Sequence, residues 1–146
     1  MLDPVTAAPP AHLDTLYREC WEVLKPHLVS GKMGPLYRAG FDTAVRDGRL
    51  YTVRDDAGLL LAFLQVSTKP RLKCLNVDRV AGREGFQRRG LGRVLLEKAW
   101  TLAKEKNTLL RLRVANTNAD AVAFYTRLGF TSVESSKLTT AMQKHA

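Results

Sequence analysis

The run LLLAFLQVS, residues 59–67, most constrains what this chain can become. Leu60, Ala62 and Leu64 would point to one side of an extended strand, and Leu59, Leu61 and Phe63 to the other. Successive strand residues face opposite sides, so a strand apolar on both belongs in the middle of a sheet with both faces covered. LYTVRDD (50–56) precedes it as a strand, and Ala57-Gly58 is a tight turn, which together read as a hairpin. Lys69-Pro70 breaks the central strand.

The period before the hairpin is helical. Leu13, Leu16, Tyr17, Cys20, Leu24 and Leu28 predict a helix over about 12–25, limited by Pro26. Gly34-Pro35 opens a second helix with Pro in its first turn, Leu36, Phe41, Ala44 and Val45 give it a partial apolar stripe, and Asp47-Gly48 ends it. After the hairpin, a third strand over about 73–82 alternates Leu75, Val77 and Arg79 against Asn76, Asp78 and Val80. A helix over about 90–105 buries Leu91, Val94, Leu95, Ala99 and Leu102. LLRLRV (109–114) is a strand, Asn118 to Leu128 a short helix stopped by Gly129, and FTSVESS and LTTAMQ two weaker strands. Residues 1–10, rich in Ala and Pro, read as a loose leader, and 11–146 as a single domain. The order ααβββαβαββ implies one α/β or α+β domain on a mixed sheet.

Charge narrows the function. The 146-residue chain carries a net charge of +9. Residues 71–113 hold twelve lysines and arginines against four acids, so eight of the nine net charges lie there. That concentration favours an anionic partner, either a phosphorylated cofactor or nucleic acid; a solvated basic face is the plainer reading for the lysines of the 91–106 region. No apolar run approaches a membrane span, and the first residues lack the pattern of a secretory signal, so the expected location is cytoplasmic. Cys20 and Cys74 suggest neither a disulfide framework nor a zinc site. His12, His27 and His145 show no metal-ligand spacing and read as surface residues.

The anion has an evident landing place. GFQRRGLGRVLLEKAW (85–100) puts Gly90 and Gly92 at the mouth of a helix beside Arg88, Arg89 and Arg93. Glycines permit the turn and a close approach, the helix end supplies unpaired N–H groups, and arginines add fork-shaped hydrogen bonding. A P-loop is excluded, because Leu91-Gly92 stand where Lys and Ser/Thr are needed. A dinucleotide fingerprint is excluded because Leu95 takes the third glycine's place.

The pattern that fits is Q/R-x-x-G-x-G/A, as Gln87-Arg88-Arg89-Gly90-Leu91-Gly92. It resembles the coenzyme A pyrophosphate loop of the GNAT superfamily of N-acetyltransferases. A second block, NADAVAFYTRLGF, with Asn118, Ala121, Phe124, Tyr125, Gly129 and Phe130, is similar to that family's second cofactor segment. The similarity spans roughly 50–146 in element order. Where the family commonly has V-x-P-x-Y before the loop, this chain has Gly82, Glu84 and Phe86, keeping only the aromatic.

The resemblance implies a single-domain fold with a central mixed, mostly antiparallel sheet, a splayed parallel strand pair and about four flanking helices. It implies acetyl-CoA as co-substrate, no metal, and direct attack by a primary amine in a ternary complex. Backbone groups of Val80, Ala81 and Gly82 would pair with the pantetheine arm. The N–H groups of Arg88 to Gly92, Leu91 among them, would hold the pyrophosphate, with Arg88, Arg89 and Arg93 near the phosphates. Asn118 would touch the pantetheine arm or fix the backbone, and Phe124 belongs to the same segment. Tyr125 would protonate the leaving thiolate; its plainer reading is a core aromatic beside Phe124. Asp78 is the foremost base on the third strand, with Glu84 nearby in the turn. Asp78 equally suits an ion pair with Arg79 or Arg113, which would make it a poorer base, and a water chain is a further route for the proton. Ser67 reads as a strand-end hydrogen bonder or a cleft-lining residue.

The acceptor is expected to meet the 12–47 region, where Lys32, Met33 and Tyr37 are candidates, and it stays open among peptide N-termini, lysines, small amines and aminated drugs. Two competing functions share the fold. One is a protein that binds or modifies nucleic acid through the basic 71–113 region, although only Phe86 and Trp100 interleave aromatics there. The other is a non-catalytic acyl-CoA-binding module, against which Tyr125 argues. A homodimer is a possible assembly.

Overall fold

The computed structural model describes residues 5–29, 35–86 and 90–145. In chain order the elements are β1 (Thr6–Ala7), α1 (Leu13–Val29), α2 (Arg38–Arg46), β2 (Leu50–Arg54), β3 (Leu60–Lys69), β4 (Cys74–Gly82), α3 (Leu91–Glu105), β5 (Leu109–Ala115), α4 (Ala119–Arg127), β6 (Thr131–Ser135) and β7 (Thr139–Lys144). Among the described residues the strands form one sheet in the order β1-β2-β3-β4-β5-β7-β6. All neighbours are antiparallel except β4 and β5.

β3 is central, as its two apolar faces require. Leu60 and Phe63 join Leu16, Cys20, Val23 and Leu24 of α1 and Phe41 and Val45 of α2 in a core on one side. Leu61, Leu64 and Val66 join Leu91, Leu95, Leu96, Ala99 and Ala103 of α3 on the other. This mixed parity has a cause. Val53 pairs with Ala62 but Arg54 with Leu60, so Leu61 is an extra residue that resets the alternation. Phe63 and its leucine neighbours are fully buried, and each such side chain stabilises the fold by about 1.5–3 kcal/mol.

Several local expectations change. α1 runs through Pro26 to Val29. Proline lacks the N–H a helix interior uses, but here tertiary contacts hold the last turn: Leu28 packs on the core, and His27 Nε2 donates to the carbonyl of Gly82 at 3.0 Å. His27 is therefore half-buried against β4 and not a surface residue, whereas His12 and His145 are exposed. α2 starts at Arg38, later than Pro35 implied. On α3, Leu96 and Ala103 are buried while Val94 and Leu102 are only partly so. Within the stretch read as a leader, Thr6 and Ala7 pair with Thr52 and Tyr51 as an edge strand. Cys20 and Cys74 are buried free thiols, and burial pushes the Cys20 thiol up. Among the described residues no helix is long and apolar enough to cross a membrane.

Candidate functional site

The site begins where two parallel strands part. β4 and β5 pair from Cys74–Leu109 to Val77–Leu112 and no further. Val66 of β3 pairs with Val77, but Gln65 pairs with Arg79, so Asp78 is a bulge residue at the point of separation. Bulges bend the strand that carries them. Beyond it Val80, Ala81 and Gly82 pair with Leu64, Phe63 and Ala62 of β3, so the opposite edge of β4 borders a gap. On its other edge β5 pairs with β7 from Leu110 to Ala115, so β7 holds β5 on past the point where β4 leaves it.

The gap is a cleft of about 560 Å³. Val77 to Val80 line one wall and Leu112 to Asn118 the other, with Ala121 and Tyr125 of α4 and the β6–β7 turn, Lys137 to Thr139, completing it. Asn118 caps α4: its side-chain oxygen accepts from Ala121 N at 3.3 Å. That sets the direction of the helix carrying Tyr125. The Tyr125 ring is wedged between Phe124 and Phe130, at centroid distances of 5.6 and 5.8 Å. Burial pushes its phenol up to about 12, because the charged phenolate is poorly solvated there. The hydroxyl therefore carries its proton throughout the neutral range.

The glycine turn lies at the N-terminus of α3. Gly90 is the N-cap residue at φ +75°, a left-handed conformation that suits glycine. Leu91 is buried and anchors the helix start to the core. Gly92 sits beneath Phe124, so α3 and α4 meet here. Arg93 makes an exposed pair with Glu97 at 3.2 Å. Gln87, Arg88 and Arg89 lie outside the described residues.

Asp78 sits among its own neighbours. Its Oδ1 accepts from the Ser67 hydroxyl at 2.8 Å and from the Asn76 amide at 2.7 Å. Arg113 turns away to Glu134 at 3.6 Å and Thr139 at 3.0 Å. Arg79 donates to the carbonyl of Pro35; burial lowers its pKa, and the charge of Asp78 works in the opposite direction. Ser67 therefore acts on Asp78.

A second cavity of about 470 Å³ adjoins the cleft. Leu36, Tyr37, Gly40 and Phe41 form its roof, Gln65 and Lys69 come from β3, and Arg111 and Arg113 from β5. Val77, Asp78, Arg79 and Arg113 line both spaces, so Asp78 stands at their junction. Tyr37 thus lines this second cavity; Lys32 and Met33 are outside the described residues.

Some site residues have no clear signal in the sequence. Asn116 holds the β6–β7 turn against the cleft, with its amide donating to Ser136 O at 2.9 Å and its oxygen accepting from Thr140 at 2.6 Å. Leu138 of that turn is 77% exposed at the cleft mouth. FTSVESS and LTTAMQ read only as two strands, and nothing in them marked the cleft that the turn between them borders. Among the described residues no group of three or more His, Cys, Asp or Glu side chains could hold a metal ion.

Known proteins share this architecture. Residues 11–130 match the family model for the acetyltransferase (GNAT) family, and the chain belongs to that family. A streptothricin acetyltransferase from Streptomyces lavendulae is 33% identical over 85 residues, 58% of this chain; those residues span 45% of that protein, somewhat under half its length. A GNAT-family acetyltransferase from Listeria monocytogenes superposes with a TM-score of 0.82 at 16% identity, covering 97% of this chain and 94% of that one. The PaiA N-acetyltransferase of Thermoplasma acidophilum, solved with coenzyme A, superposes with a TM-score of 0.75 at 16% identity, covering 100% and 99%. The fold is thus the single-domain mixed sheet that the two sequence blocks implied.

Proposed function

We propose that this chain moves an acetyl group from acetyl-CoA to a primary amine by direct attack in a ternary complex. The observation that carries the reading is the parting of β4 and β5 after Val77 and Leu112, with Tyr125 on one wall and Asp78 at the junction with a second cavity. An acyl-pantetheine arm fits a cleft bordered by a free strand edge, because its amides can pair with the backbone of Val80 to Gly82 as another strand would. The turn at Gly90 and the first N–H groups of α3 suit the pyrophosphate, and the quoted motif adds Gln87, Arg88 and Arg89 to that cradle. Support comes also from the family and from the coenzyme A bound by the PaiA enzyme.

Each protein group has a task. The acceptor arrives as an ammonium ion and must lose a proton before its nitrogen can attack. Asp78, at the junction, takes that proton directly or through water. As the C–N bond forms and the C–S bond breaks, Tyr125 gives its proton to the departing sulfur, and the nitrogen's surplus proton passes through water to restore the phenol. A phenol held neutral by burial suits this role. Asn118 and Phe124 position Tyr125, and Ser67 and Asn76 position Asp78. Calorimetric titration with acetyl-CoA tests the reading. Saturable binding and a rise in melting temperature are expected, and neither at millimolar ligand would overturn it.

A further inference from the structure

The second cavity has a charge pattern that amine acetylation alone does not require. An ammonium acceptor is best recognised by carboxylates and neutral oxygens. This cavity instead gathers Lys69, Arg79, Arg111 and Arg113, with Asp78 the one carboxylate among the described residues of its lining. Arg79 and Arg113 also border the cleft, but Lys69 and Arg111 line this cavity and not the cleft. Among the described residues the lining includes none of α3, at whose start the phosphates would sit.

Arg111 is the most telling of the four. Its side chain is 11% exposed, and its hydrogen bond runs to Glu134 at 3.2 Å. Glu134 is itself 62% exposed and shared with Arg113 at 3.6 Å. One largely solvated carboxylate thus serves two guanidinium groups at the wall of this cavity. A second anion in the cavity would share the neutralisation of Arg111, whose burial is costly. Gln65 adds a buried acceptor: its Oε1 lies in the lining without a hydrogen-bond partner among the described residues. The cavity therefore offers oxygen acceptors, Asp78 and Gln65, beside a cluster of cations.

We infer that the acceptor is a small amine that also carries a carboxylate, an amino acid or a close analogue. Its ammonium faces Asp78 at the junction of the two spaces, and its carboxylate lies on Arg79 and Arg111. This rests on the acetyl-transfer reading and adds the substrate class. A polyamine would meet like charge here.

The test uses matched acceptors. Glycine, alanine, phenylalanine and glutamate are compared with their primary amides and with the decarboxylated amines, following release of the coenzyme A thiol. The free acids should exceed their amides by about 10- to 100-fold in kcat/KM, the worth of a charge-assisted hydrogen bond. Arg111→Gln and Arg79→Gln should bring that ratio close to one, while Arg79→Lys should retain much of it. Melting temperatures report folding, and Arg79→Gln carries the test if Arg111→Gln does not fold. Streptothricin, the acceptor in the curated relative's name, belongs in the same panel. Preference for it, for amides or for diamines overturns the inference. So does the absence of turnover of every acid by protein that binds acetyl-CoA. Failure to bind acetyl-CoA would instead remove the acetyl-transfer reading itself.

Discussion

The ring of Phe124 lies over Gly92 so closely that a Cβ built on the glycine would stand 3.6 Å from two ring carbons. That is ordinary contact, so alanine fits the protein at this position. Gly92→Ala should leave stability unchanged or raise it by up to about 1 kcal/mol, since glycine is a poor helix residue. Acetyl-CoA affinity should nevertheless fall about tenfold, because a phosphate approaching the backbone meets the new methyl group. Thermal melts and calorimetry on the same protein separate the two effects. Unchanged affinity would mean that Gly92 serves helix packing and not the ligand.

Tyr125→Phe keeps the ring between Phe124 and Phe130 and removes only the proton. Turnover should fall at least 100-fold, within the range for a general acid, with little change in acetyl-CoA affinity. The pH dependence has a definite sign. The phenol is raised from 10.0 to about 12 in the folded chain, so the neutral form is favoured by folding. Its contribution to stability is complete below about pH 10 and disappears as pH rises through about 12. Wild type should lose stability across that window by a component the variant lacks. Tyrosine absorbance followed against pH checks the shift, and full turnover by Tyr125→Phe would discard the acid role.

Three local features were legible in the sequence. A left-handed turn, a helix N-cap and an aromatic beside a helix stop each demand particular residue types at fixed spacing, and Gly90, Asn118 and Tyr125 supply them. What stayed hidden is long-range. The bulge at Asp78 exists only in the register between Gln65 and Arg79, and the strand at Thr6–Ala7 only through pairing with β2. Lys69 and Arg111 read as unrelated charges until parallel pairing of β4 and β5 brings them to one cavity. Pro26 misled because proline's local cost was outweighed by contacts from α1 to β4.

Asp78→Asn preserves an oxygen for Ser67 and Asn76 while removing the proposed base. The rate at neutral pH should drop about 100-fold, and the acidic limb of the kcat/KM profile should flatten or move. A profile displaced in height but identical in shape would assign deprotonation to water and leave Asp78 with a positioning role. Ser67→Ala is the companion variant. It deletes the 2.8 Å bond to Oδ1, one of the two that orient the carboxylate. The value of kcat/KM should fall about fivefold, the worth of one hydrogen bond, with acetyl-CoA binding intact.

His27 reaches across 55 positions in sequence to the carbonyl of Gly82, the last residue of β4. That bond connects the end of α1 to the strand edge on which a pantetheine arm would pair. His27→Ala frees a half-buried carbonyl and should destabilise the fold by about 1 kcal/mol. The more informative effect is on the strand end. If Gly82 drifts, the KM for acetyl-CoA should rise several-fold while kcat, which the proposed chemistry assigns to Tyr125 and Asp78, changes little. His27→Gln retains an N–H donor at similar reach and should restore part of the loss. Equal KM values for the alanine variant and wild type would show that β3 alone holds the edge in place.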